Sequence, residues 1–561
     1  MTPLEGLVIN ASYFRDIYNY KENIVDTDLP RWDFRLEQQV TTGKQGIITN
    51  QDSNSDRYVI DLFATYNKTI ARKHNIGVLA GYNQEYCKAW WFNVRKAGLI
   101  SLSTPVLSAA SDLQNSGGGK DDYAMMSYFG RINYDYAGKY LLEANVRLDG
   151  SSRFAPGNRW GTFPSFSAAW RISEEAFWEN LKPVVDNFKI RASWGRLGNN
   201  GIGNYDWQNV YSPANTSFGD AIQQGVWTTA IANRNISWEK TDVVDLGLDV
   251  NLFGNLSLTF DYYNKLTHGI LYRNPIPYVN GGLAAPMVNS AKVRNRGFEF
   301  SASYNKMLGD LGLSVSVNGA YNRNKIIDYK GDYLETNGAT VWTENQPIGK
   351  FYIREVDHIV QDKAEIDKLV SEGWTFSPSR PEPGDFLYKD LNNDKRIDDK
   401  DRVLKGQPLP LFTFGGSIAL SYKNFDFNAL FTGVAGWDRY LSTGIFSLTN
   451  AETERLFLKQ FQNQWSETNR NTSIPKLYAS NEKNNQVSDY YLYDASFLRV
   501  KTIQLGYTIP KNLIPKVRIR AYCNLENFFT ITSYPGMDPE MDGDVGYPIL
   551  KTVSLGVNIK F

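Results

Sequence analysis

The chain has 561 residues, and its 60 basic and 60 acidic side chains give a formal net charge of zero, which argues against a nucleic-acid partner bound through phosphate neutralisation. Two cysteines, Cys87 and Cys523, and three scattered histidines are too few to predict a disulfide framework, a thiolate zinc site or His-based catalysis. No apolar run of about 18 residues predicts a transmembrane helix, and the aromatic residues, 14% of the chain, favour one large β structure over several soluble domains.

Apolar and polar residues alternate with period two along most of the chain, which is the pattern of a strand with two different faces. Between residues 141 and 149, for example, Leu142, Ala144, Val146 and Leu148 alternate with polar or charged side chains. Most such segments are about ten residues long, the length of a tilted strand that crosses a bilayer. The pattern predicts strands at 5–17, 31–41, 57–68, 74–87, 123–136, 139–149, 161–171, 187–196, 241–252, 256–265, 292–306, 312–323, 411–421, 425–434, 496–508, 517–529 and 552–561.

The connections between these predicted strands alternate between short and long. The short turns include Ala137-Gly138, Phe253-Gly254-Asn255, Leu308-Gly309-Asp310 and Lys423-Asn424, and the long connections are 88–122, 197–240, 266–291, 324–410 and 435–495. Short turns on one side and long loops on the other are typical of an outer-membrane barrel. The alternative is a soluble β-rich carbohydrate-binding protein, because the strands of a soluble sheet alternate in the same way.

Aromatic residues lie at the ends of several predicted strands. Tyr134, Tyr136 and Tyr140 flank the turn at 137–138, and Phe528 and Phe529 end another strand. We interpret them as part of the aromatic girdle that membrane barrels place at the lipid interface. The competing interpretation is the general enrichment of aromatic residues in strands.

A series of ordered motifs covers nearly the whole chain from about residue 56. They are Tyr140–Phe154, Asn158–Glu175, Lys189–Gly195, Gly198-Asn199, Ser237–Thr241, Asp261–Lys265, Asn295–Phe300, Asp489–Val500, Leu505–Pro510, Asn524–Phe528 and Tyr547–Thr552. In number and order these motifs resemble the C-terminal barrel of the SusC/RagA-type TonB-dependent outer-membrane transporters.

The resemblance implies an all-β fold, an antiparallel transmembrane β-barrel with long extracellular loops, located in the outer membrane. It implies import of oligosaccharides, or in some members peptides, energised by the TonB system of the inner membrane. A SusD-like surface lipoprotein, outer-membrane lipid and the barrel-assembly machinery are the expected partners. We expect no enzymatic activity, because no phosphate loop, nucleophile elbow or zinc motif is found.

We expect residues 1–561 to form a single barrel-type domain that is incomplete. Barrels of this class have about 22 strands and a plugged lumen, whereas the alternation predicts about 17, and neither a TonB box nor a plug precedes them. About five strands and the plug would then lie upstream. A wall with an unpaired edge is unstable in lipid, so we expect the chain alone not to work as a transporter.

The segment from Asp390 to Asp401 predicts a calcium loop. Oxygen-bearing side chains fall at positions 1, 3, 5, 9 and 12 of an EF-hand-like loop, and position 7 offers a backbone carbonyl. Two features weaken the match: Lys395 replaces the glycine of position 6, and the last ligand is an aspartate instead of a glutamate. The alternative is a solvated acidic turn. The candidate ligands are Asp390, Asn392, Asp394, Arg396 (through its carbonyl), Asp398 and Asp401.

The last predicted strand ends in an aromatic residue, Phe561. Its perfect alternation at the chain end resembles the signal by which the barrel-assembly machinery recognises outer-membrane proteins, and the alternative is a strand that ends in phenylalanine by chance. The candidate signal residues are Val553, Leu555, Val557, Ile559 and Phe561.

Tryptophans in the long connections could stack on the apolar faces of sugars, although packing between loops is the more common role of such residues. These tryptophans are Trp207, Trp227, Trp238, Trp342, Trp374 and Trp437.

Overall fold

The computed structural model describes residues 5–27, 31–40, 46–219, 221–329, 334–335, 338–442, 462–478, 483–514, 516–541 and 546–561. Sixteen strands of these residues form one large sheet. In chain order they are β1 Leu7–Asp26, β2 Ile47–Ile70, β3 His74–Leu99, β4 Ala110–Tyr136, β5 Tyr140–Ser151, β6 Trp160–Arg171, β7 Val185–Asn199, β8 Glu239–Leu252, β9 Leu256–Arg273, β10 Met287–Leu308, β11 Leu311–Asp328, β12 Phe412–Tyr422, β13 Phe425–Ala435, β14 Phe497–Thr508, β15 Arg518–Thr532 and β16 Thr552–Lys560.

Each strand of this sheet is hydrogen-bonded to the strands that precede and follow it in the chain. The four predicted turns are confirmed, because they connect β4 to β5, β8 to β9, β10 to β11 and β12 to β13. Their backbones reach the left-handed region where the chain must reverse, for example at Ala137 (φ 53°) and Gly138 (φ 70°). Long connections mostly alternate with these turns, as predicted, but the segregation is not strict: residues 172–184 lie on the side of the short turns and form a longer connection than 100–109 or 152–159 on the other side.

Two compact units make up the chain. The first contains the described residues within Met1–Ala168, Ser193–Asp242 and His268–Ser290, and the second those within Ala169–Ala192, Val243–Thr267 and Ala291–Phe561. A buried cluster formed by Phe154, Phe163, Ile202, Ile236 and Trp238 stabilises the loops of the first unit. In the second unit a larger cluster, which includes Ile366, Tyr388, Trp465 and Tyr491, is built entirely from the long connections.

The predicted strand 31–41 is wrong. Arg31–Asp33 and Gln38–Val40 pair with each other in a small hairpin outside the large sheet, and residue 41 lies outside the described residues. Asp33 Oδ1 accepts hydrogen bonds from the backbone N–H groups of Arg35 and Leu36 at 2.8 and 3.1 Å, and Glu37 has a φ of 47°. This aspartate-led turn reverses the chain, so the large sheet has sixteen of the seventeen predicted strands.

The predicted long connection 88–122 is also wrong. Strands β3 and β4 contain 26 and 27 residues, and only residues 100–109 connect them. Their backbone ladder continues through polar and glycine residues, with Trp90 opposite Lys120 and Phe92 opposite Gly118. Apolar and polar residues alternate only where one face of a strand meets an apolar environment. Most side chains of residues 110–122 are exposed, so the alternation that predicts strands is missing there.

The long connections contain small elements of their own. The helix α1 Lys363–Ser371 begins after Asp362, whose side chain accepts a hydrogen bond from the N–H group of Glu365. Nowhere in the described ranges does a helix have the length and apolar character needed to cross a bilayer. The short strands are Tyr211–Phe218, Ala221–Thr228, Leu334–Glu335, Thr340–Trp342, Lys350–Arg354, Val356–Ile359, Thr375–Phe376, Phe386–Tyr388, Arg396–Ile397, Arg402–Lys405, Asp438–Tyr440 and Leu492–Asp494.

Candidate functional site

The two faces of the large sheet differ in polarity and exposure. The side chains of Leu142 and Leu246 are each 52% exposed on one face, which we call the apolar face. On the opposite, polar face, Ser127 and Asp149 are 0% and 8% exposed. A soluble sheet buries its apolar face and leaves its polar face in water. The observed inversion is the arrangement of a sheet whose apolar face contacts lipid.

Aromatic rings form rows at both ends of the apolar face in the first unit. Near the short turns, the ring centroids of Tyr136 and Tyr140 are 6.3 Å apart, as the predicted girdle requires. About eight residues further along the strands, a second row joins Tyr82, Tyr128 and Trp160, with centroids 5.3 and 6.1 Å apart. Eight residues span about 27 Å along a strand. At a strand tilt of about 40° this is about 21 Å along the membrane normal, slightly less than the apolar band of about 25 Å in membrane barrels.

A third group of rings lies across β1 to β3, four residues beyond Tyr82 along β3. The centroid of Tyr58 lies 6.4 Å from that of Tyr13 and 5.8 Å from that of Tyr86. The sequence motifs did not single out these residues, because they lie within long strands and become neighbours only through strand register. The signal in the sequence that could have found them is a tyrosine that takes the place of an apolar residue in the alternation, next to charged residues.

Ion pairs connect strands across the polar face. In the second unit, Arg191 Nε on β7 lies 3.1 Å from Asp249 Oδ2 on β8, and its Nη1 lies 2.8 Å from Asp261 Oδ1 on β9. Gly247 lies between them, and a Cβ atom there would be 2.5 Å from both Arg191 Cζ and Asp261 Oδ1. The glycine therefore lets the arginine reach across a whole strand.

The same arrangement recurs further along the chain. Arg520 Nε on β15 donates a hydrogen bond to Asp426 Oδ1 on β13 at 2.9 Å. The strand between them carries Gly506, where a Cβ atom would be 2.5 Å from Arg520 Nη2. Sequence reasoning missed both ion pairs, and a glycine on the polar face of a charged strand is the signal that could have found them.

A cavity of about 590 Å³ opens on the polar face of the second unit. Carboxylates from Asp261, Glu299 and Glu540 contribute to its lining together with the hydroxyl groups of Ser301 and Thr432. Such groups form hydrogen bonds with polar, hydroxyl-rich or cationic molecules. The lining of the cavity is therefore suited to contact a polar substrate.

The predicted calcium loop lies in the connection between β11 and β12. Arg354 anchors it: this arginine is only 2% exposed, and its Nη2 donates to Asp399 Oδ1 at 2.9 Å. Burial raises the pKa of Asp399, but the hydrogen bond from Arg354 and the charge of Arg402 outweigh burial, so the pKa lies below its ordinary value. The anchor fixes the last turn of the loop against the buried cluster.

Within the loop, the first three candidate ligands fold back onto its own backbone. Asp390 Oδ2 accepts from Lys395 N at 2.9 Å, Asn392 Oδ1 accepts from Asp394 N at 3.0 Å, and Asp394 Oδ1 accepts from Arg396 N at 2.8 Å. Lys395 adopts a φ of 60°, so the tight turn usually made by glycine forms despite the lysine.

The last two candidate ligands, Asp398 and Asp401, also form contacts within the loop. Asp401 is buried, and its two oxygens accept from the N–H groups of Leu391 and Asp398, both at 2.9 Å. Asp398 Oδ2 lies 2.9 Å from Arg396 Nε. In the described part of the chain, no three His, Cys, Asp or Glu side chains are grouped closely enough to hold a metal ion by themselves, so a cation here would also need Asn392 and a backbone carbonyl.

The tryptophans of the long connections mostly pack loops. Trp238 is buried and donates from Nε1 to the carbonyl of Arg159 at 2.8 Å, and Trp207 and Trp374 pack against the buried clusters. Trp437 donates to the carbonyl of Pro408 at 3.2 Å, and Trp342 lies on a short strand. Trp227 is the most exposed of the six and lies on the hairpin of 211–228.

The terminal strand β16 pairs with β15 over its whole length. Val553, Leu555, Val557 and Ile559 are exposed on its apolar face, and Phe561 follows directly after its end. The predicted alternation is therefore present in the fold, while its recognition by the assembly machinery stays a prediction.

Comparison with known proteins identifies the fold. The family model described as TonB dependent receptor-like, beta-barrel matches residues 7–527. The chain belongs to this family. Membership confirms the all-β barrel-type fold and the outer-membrane location.

Individual relatives agree with this family. The TonB-dependent receptor P3 of Formosa agariphila is 31% identical over 558 residues, which are 92% of this chain and 54% of the relative. The TonB-dependent receptor SusC of Bacteroides thetaiotaomicron is 30% identical over 459 residues, which are 78% and 44% of the two chains. The chain thus spans about half the length of the curated relatives it matches.

A solved structure confirms the SusC/RagA type of this TonB-dependent barrel. The RagAB peptide transporter superposes with a TM-score of 0.82 and 25% sequence identity, covering 99% of this chain and 60% of the other. The soluble carbohydrate-binding alternative is not favoured, since both the family and the exposed apolar face contradict it.

Proposed function

We propose that this chain forms the wall of an outer-membrane transporter that imports oligosaccharides or peptides. The observation that carries the proposal is the exposed apolar face set against a charged polar face that contains a cavity of about 590 Å³. Lipid contact on one side and a polar path on the other are what an importing barrel needs. The similarity to the RagAB peptide transporter and to SusC supports this class of cargo.

We further propose that import is energised through TonB and assisted by a SusD-like lipoprotein, and that residues 1–561 contribute a single barrel-type domain. The relatives are TonB-dependent receptors, and the structured connection around the cluster of Ile366, Tyr388 and Tyr491 offers a rigid surface for such a partner. A rigid surface favours binding because little side-chain entropy is lost.

Membrane fractionation of the protein in its native host tests whether the chain forms part of an outer-membrane barrel. We expect it in the outer-membrane fraction, resistant to alkaline extraction and released by detergent. Recovery in the soluble fraction would contradict the proposal and favour the soluble alternative.

Uptake measurements test transport. Cells with the intact system should accumulate a labelled oligosaccharide or peptide, and inactivation of TonB should abolish the accumulation without changing the protein's abundance. Accumulation that persists without TonB would contradict the energised mechanism.

We also propose that the loop 390–401 binds calcium. Its support is the EF-hand spacing of ligands together with the left-handed turn at Lys395. Titration of Ca²⁺ into the chelator-treated 561-residue chain should detect one site, weakened about tenfold or more by Asp390→Asn. Glu372→Gln, an exposed carboxylate outside the loop, is the control. Absence of a calcium-dependent signal at millimolar Ca²⁺ would leave the loop as a structural turn.

A further inference from the structure

Four cationic side chains lie together on the apolar face of β10 and β11, and we call them the basic cluster. Arg296 lies directly opposite Arg323, and Arg294 lies directly opposite Lys325. Opposed residues of an antiparallel pair share a face, and both arginines of β10 are at alternate positions from the exposed Phe298. Like charges directly opposite each other destabilise a strand pair. The bare cluster is therefore a cost to the β10–β11 pairing.

The height of the basic cluster in the membrane follows from β10 alone. This strand ends at the short turn of 308–310, and on its apolar face Tyr304, Phe300 and Phe298 lie between Lys306 and Arg296. The ten residues from Lys306 to Arg296 span about 33 Å along the strand, or about 25 Å along the membrane normal at a tilt of about 40°. That distance equals the apolar band of membrane barrels. Since short turns are periplasmic, Arg296 lies at the level of the outer-leaflet headgroups.

An aromatic row just below the basic cluster agrees with this height. Phe298 lies directly opposite Tyr321, and their ring centroids are 5.4 Å apart. The centroid of Phe260 on β9 lies 6.0 Å from that of Phe298. Aromatic residues mark the interface between the apolar band and water. Arg296 and Arg323 are each two residues beyond this row on their own strands, so both guanidinium groups face the headgroup layer.

The basic cluster has no neutralising carboxylate in the part of the chain that the structure describes. Strands β10 and β11 contain one acidic residue each. Glu299 lies on the polar face, and Asp328 Oδ2 lies 3.4 Å from Lys292 Nζ. Among the described residues, none forms an ion pair or side-chain hydrogen bond with the cluster, and Nε of Arg294 is buried without a partner. Four positive charges are thus left for an external anion.

We infer that the basic cluster binds the phosphate group of a lipid headgroup in the outer leaflet. Guanidinium groups form paired, charge-assisted hydrogen bonds with phosphate oxygens, and Arg296 and Arg323 offer them from two adjacent strands. The bound anion also removes the repulsion between the opposed cations. A lipid is selected over a soluble phosphate because acyl chains that cover the exposed Phe298 and Val317 bring their headgroup to this level.

The inference depends on lipid contact of the apolar face and not on the cargo or the energy source of import. Its failure would therefore leave the proposed transport untouched, and loss of transport would leave this site in place.

Binding of lipid A, a glycolipid with a phosphorylated headgroup, tests the inference. The 561-residue chain is extracted in detergent, and bound lipid A is measured by native mass spectrometry across a titration. Arg296→Gln with Arg323→Gln should weaken binding about tenfold, because the paired hydrogen bonds to phosphate are lost. The matched control is Lys306→Gln with Lys423→Gln, which removes the same charge at the short-turn end of β10 and β12–β13. It should change binding less than about twofold.

Thermal unfolding separates a binding role of the two arginines from a structural one. In detergent without lipid, the double arginine variant should unfold at the same or a higher temperature than the unaltered chain, because repulsion between like charges is removed. Added lipid A should raise the midpoint of the unaltered chain more than that of the variant. A lower midpoint of the variant without lipid would show a structural role and overturn the inference.

Three binding results would also overturn it. They are an equal loss of binding in the lysine control, equally tight binding of dephosphorylated lipid A, and binding of inorganic phosphate as tight as that of lipid A. The last result would make the cluster a site for a soluble anion.

Discussion

At the scale of single residues, the fold depends on glycines where two strands approach closely. Gly297 on β10 is the clearest case, because a Cβ atom there would be 1.8 Å from the carbonyl oxygen of Tyr321 on β11. A backbone atom of a paired strand cannot move aside as a flexible side chain can. The pairing of β10 with β11 therefore requires glycine at position 297, within the sequence motif Asn295–Phe300.

We expect Gly297→Ala to lower the free energy of unfolding by about 3 kcal/mol, the upper range for an overpacked site. Thermal unfolding of the detergent-extracted protein measures the loss. Gly130→Ala is the matched control, since its Cβ atom would meet only the carbonyl oxygen of Leu79, at 3.7 Å. Equal midpoints for the two variants would contradict the steric explanation.

His358 joins the strand Val356–Ile359 to helix α1. Its Nδ1 lies 2.8 Å from Asp357 Oδ2, and its Nε2 lies 2.5 Å from Glu365 Oε1. Burial lowers the pKa of His358, but these two carboxylates raise it more, so the pKa lies above its ordinary value. The proton is therefore bound more tightly in the folded loop than in the unfolded chain.

Because the folded-state pKa is raised, the stabilisation by His358 is complete below the ordinary value of about 6.5. It should be lost as the pH rises through the raised pKa. Amide exchange protection of residues 363–371 should accordingly fall with rising pH, after correction for intrinsic exchange rates. His358→Gln should remove this dependence, and an unchanged pH profile in that variant would contradict the role of the imidazole.

At the scale of elements, sequence alternation predicts strands wherever one face meets an apolar environment. It locates β5 and β16 within one or two residues at each end, because Leu142 or Leu555 and their neighbours must face away from the polar wall. It fails at 31–41, where Asp33 reverses the chain, and at 88–122, where the ladder continues with most side chains of β4 exposed. Local hydrogen bonds and strand pairing determine the structure of these two segments. Neither leaves a periodic pattern in the sequence.

The candidate sites show the same division. Spacing alone picked out the loop 390–401, because its contacts are local, although Lys395 in place of glycine counted against the turn that the structure shows there. The ion pair between Arg191 and Asp261 joins residues 70 positions apart, and Arg296 faces Arg323 only through strand register. Such neighbours require the pairing of strands to be known first.

The C-terminal strand offers a test at this scale. Deleting Phe561 should lower the amount of full-length protein inserted into the outer membrane, because the exposed terminal aromatic residue completes the apolar face of β16. Lys560→Ala changes the opposite face at the neighbouring position and should insert normally. Quantitative blotting of outer-membrane fractions compares the two. Unchanged insertion without Phe561 would contradict the assembly signal.

At the scale of the whole molecule, the inverted distribution of polarity explains how a chain with zero net charge and negative mean hydropathy belongs in a membrane. Only alternate strand residues contact lipid, while charged side chains such as Arg191 and Asp249 pair on the other face. Average hydropathy hides this arrangement because it sums both faces.

A charge placed on each face in turn tests the inversion. Ile132 is exposed on the apolar face of β4, and Asn133 follows it on the polar face, opposite Glu143. Ile132→Arg should reduce stability in lipid by about 2–4 kcal/mol, the cost near the bilayer midplane. Asn133→Arg should have little effect, because Glu143 can pair with it. Unfolding by denaturant in lipid vesicles measures both, and equal losses would contradict the assignment of faces.

The serial order of the sixteen strands also has a mechanical consequence. Each strand is held by the strands next to it in the chain. For most strands, one of these two pairings closes after a short turn, which keeps the contact order of that pair low. A force applied at either end would load one strand pair at a time, and the molecule would yield stepwise, hairpin after hairpin. The long connection between β11 and β12, with its own buried cluster, would then give a separate rupture event amid this regular series.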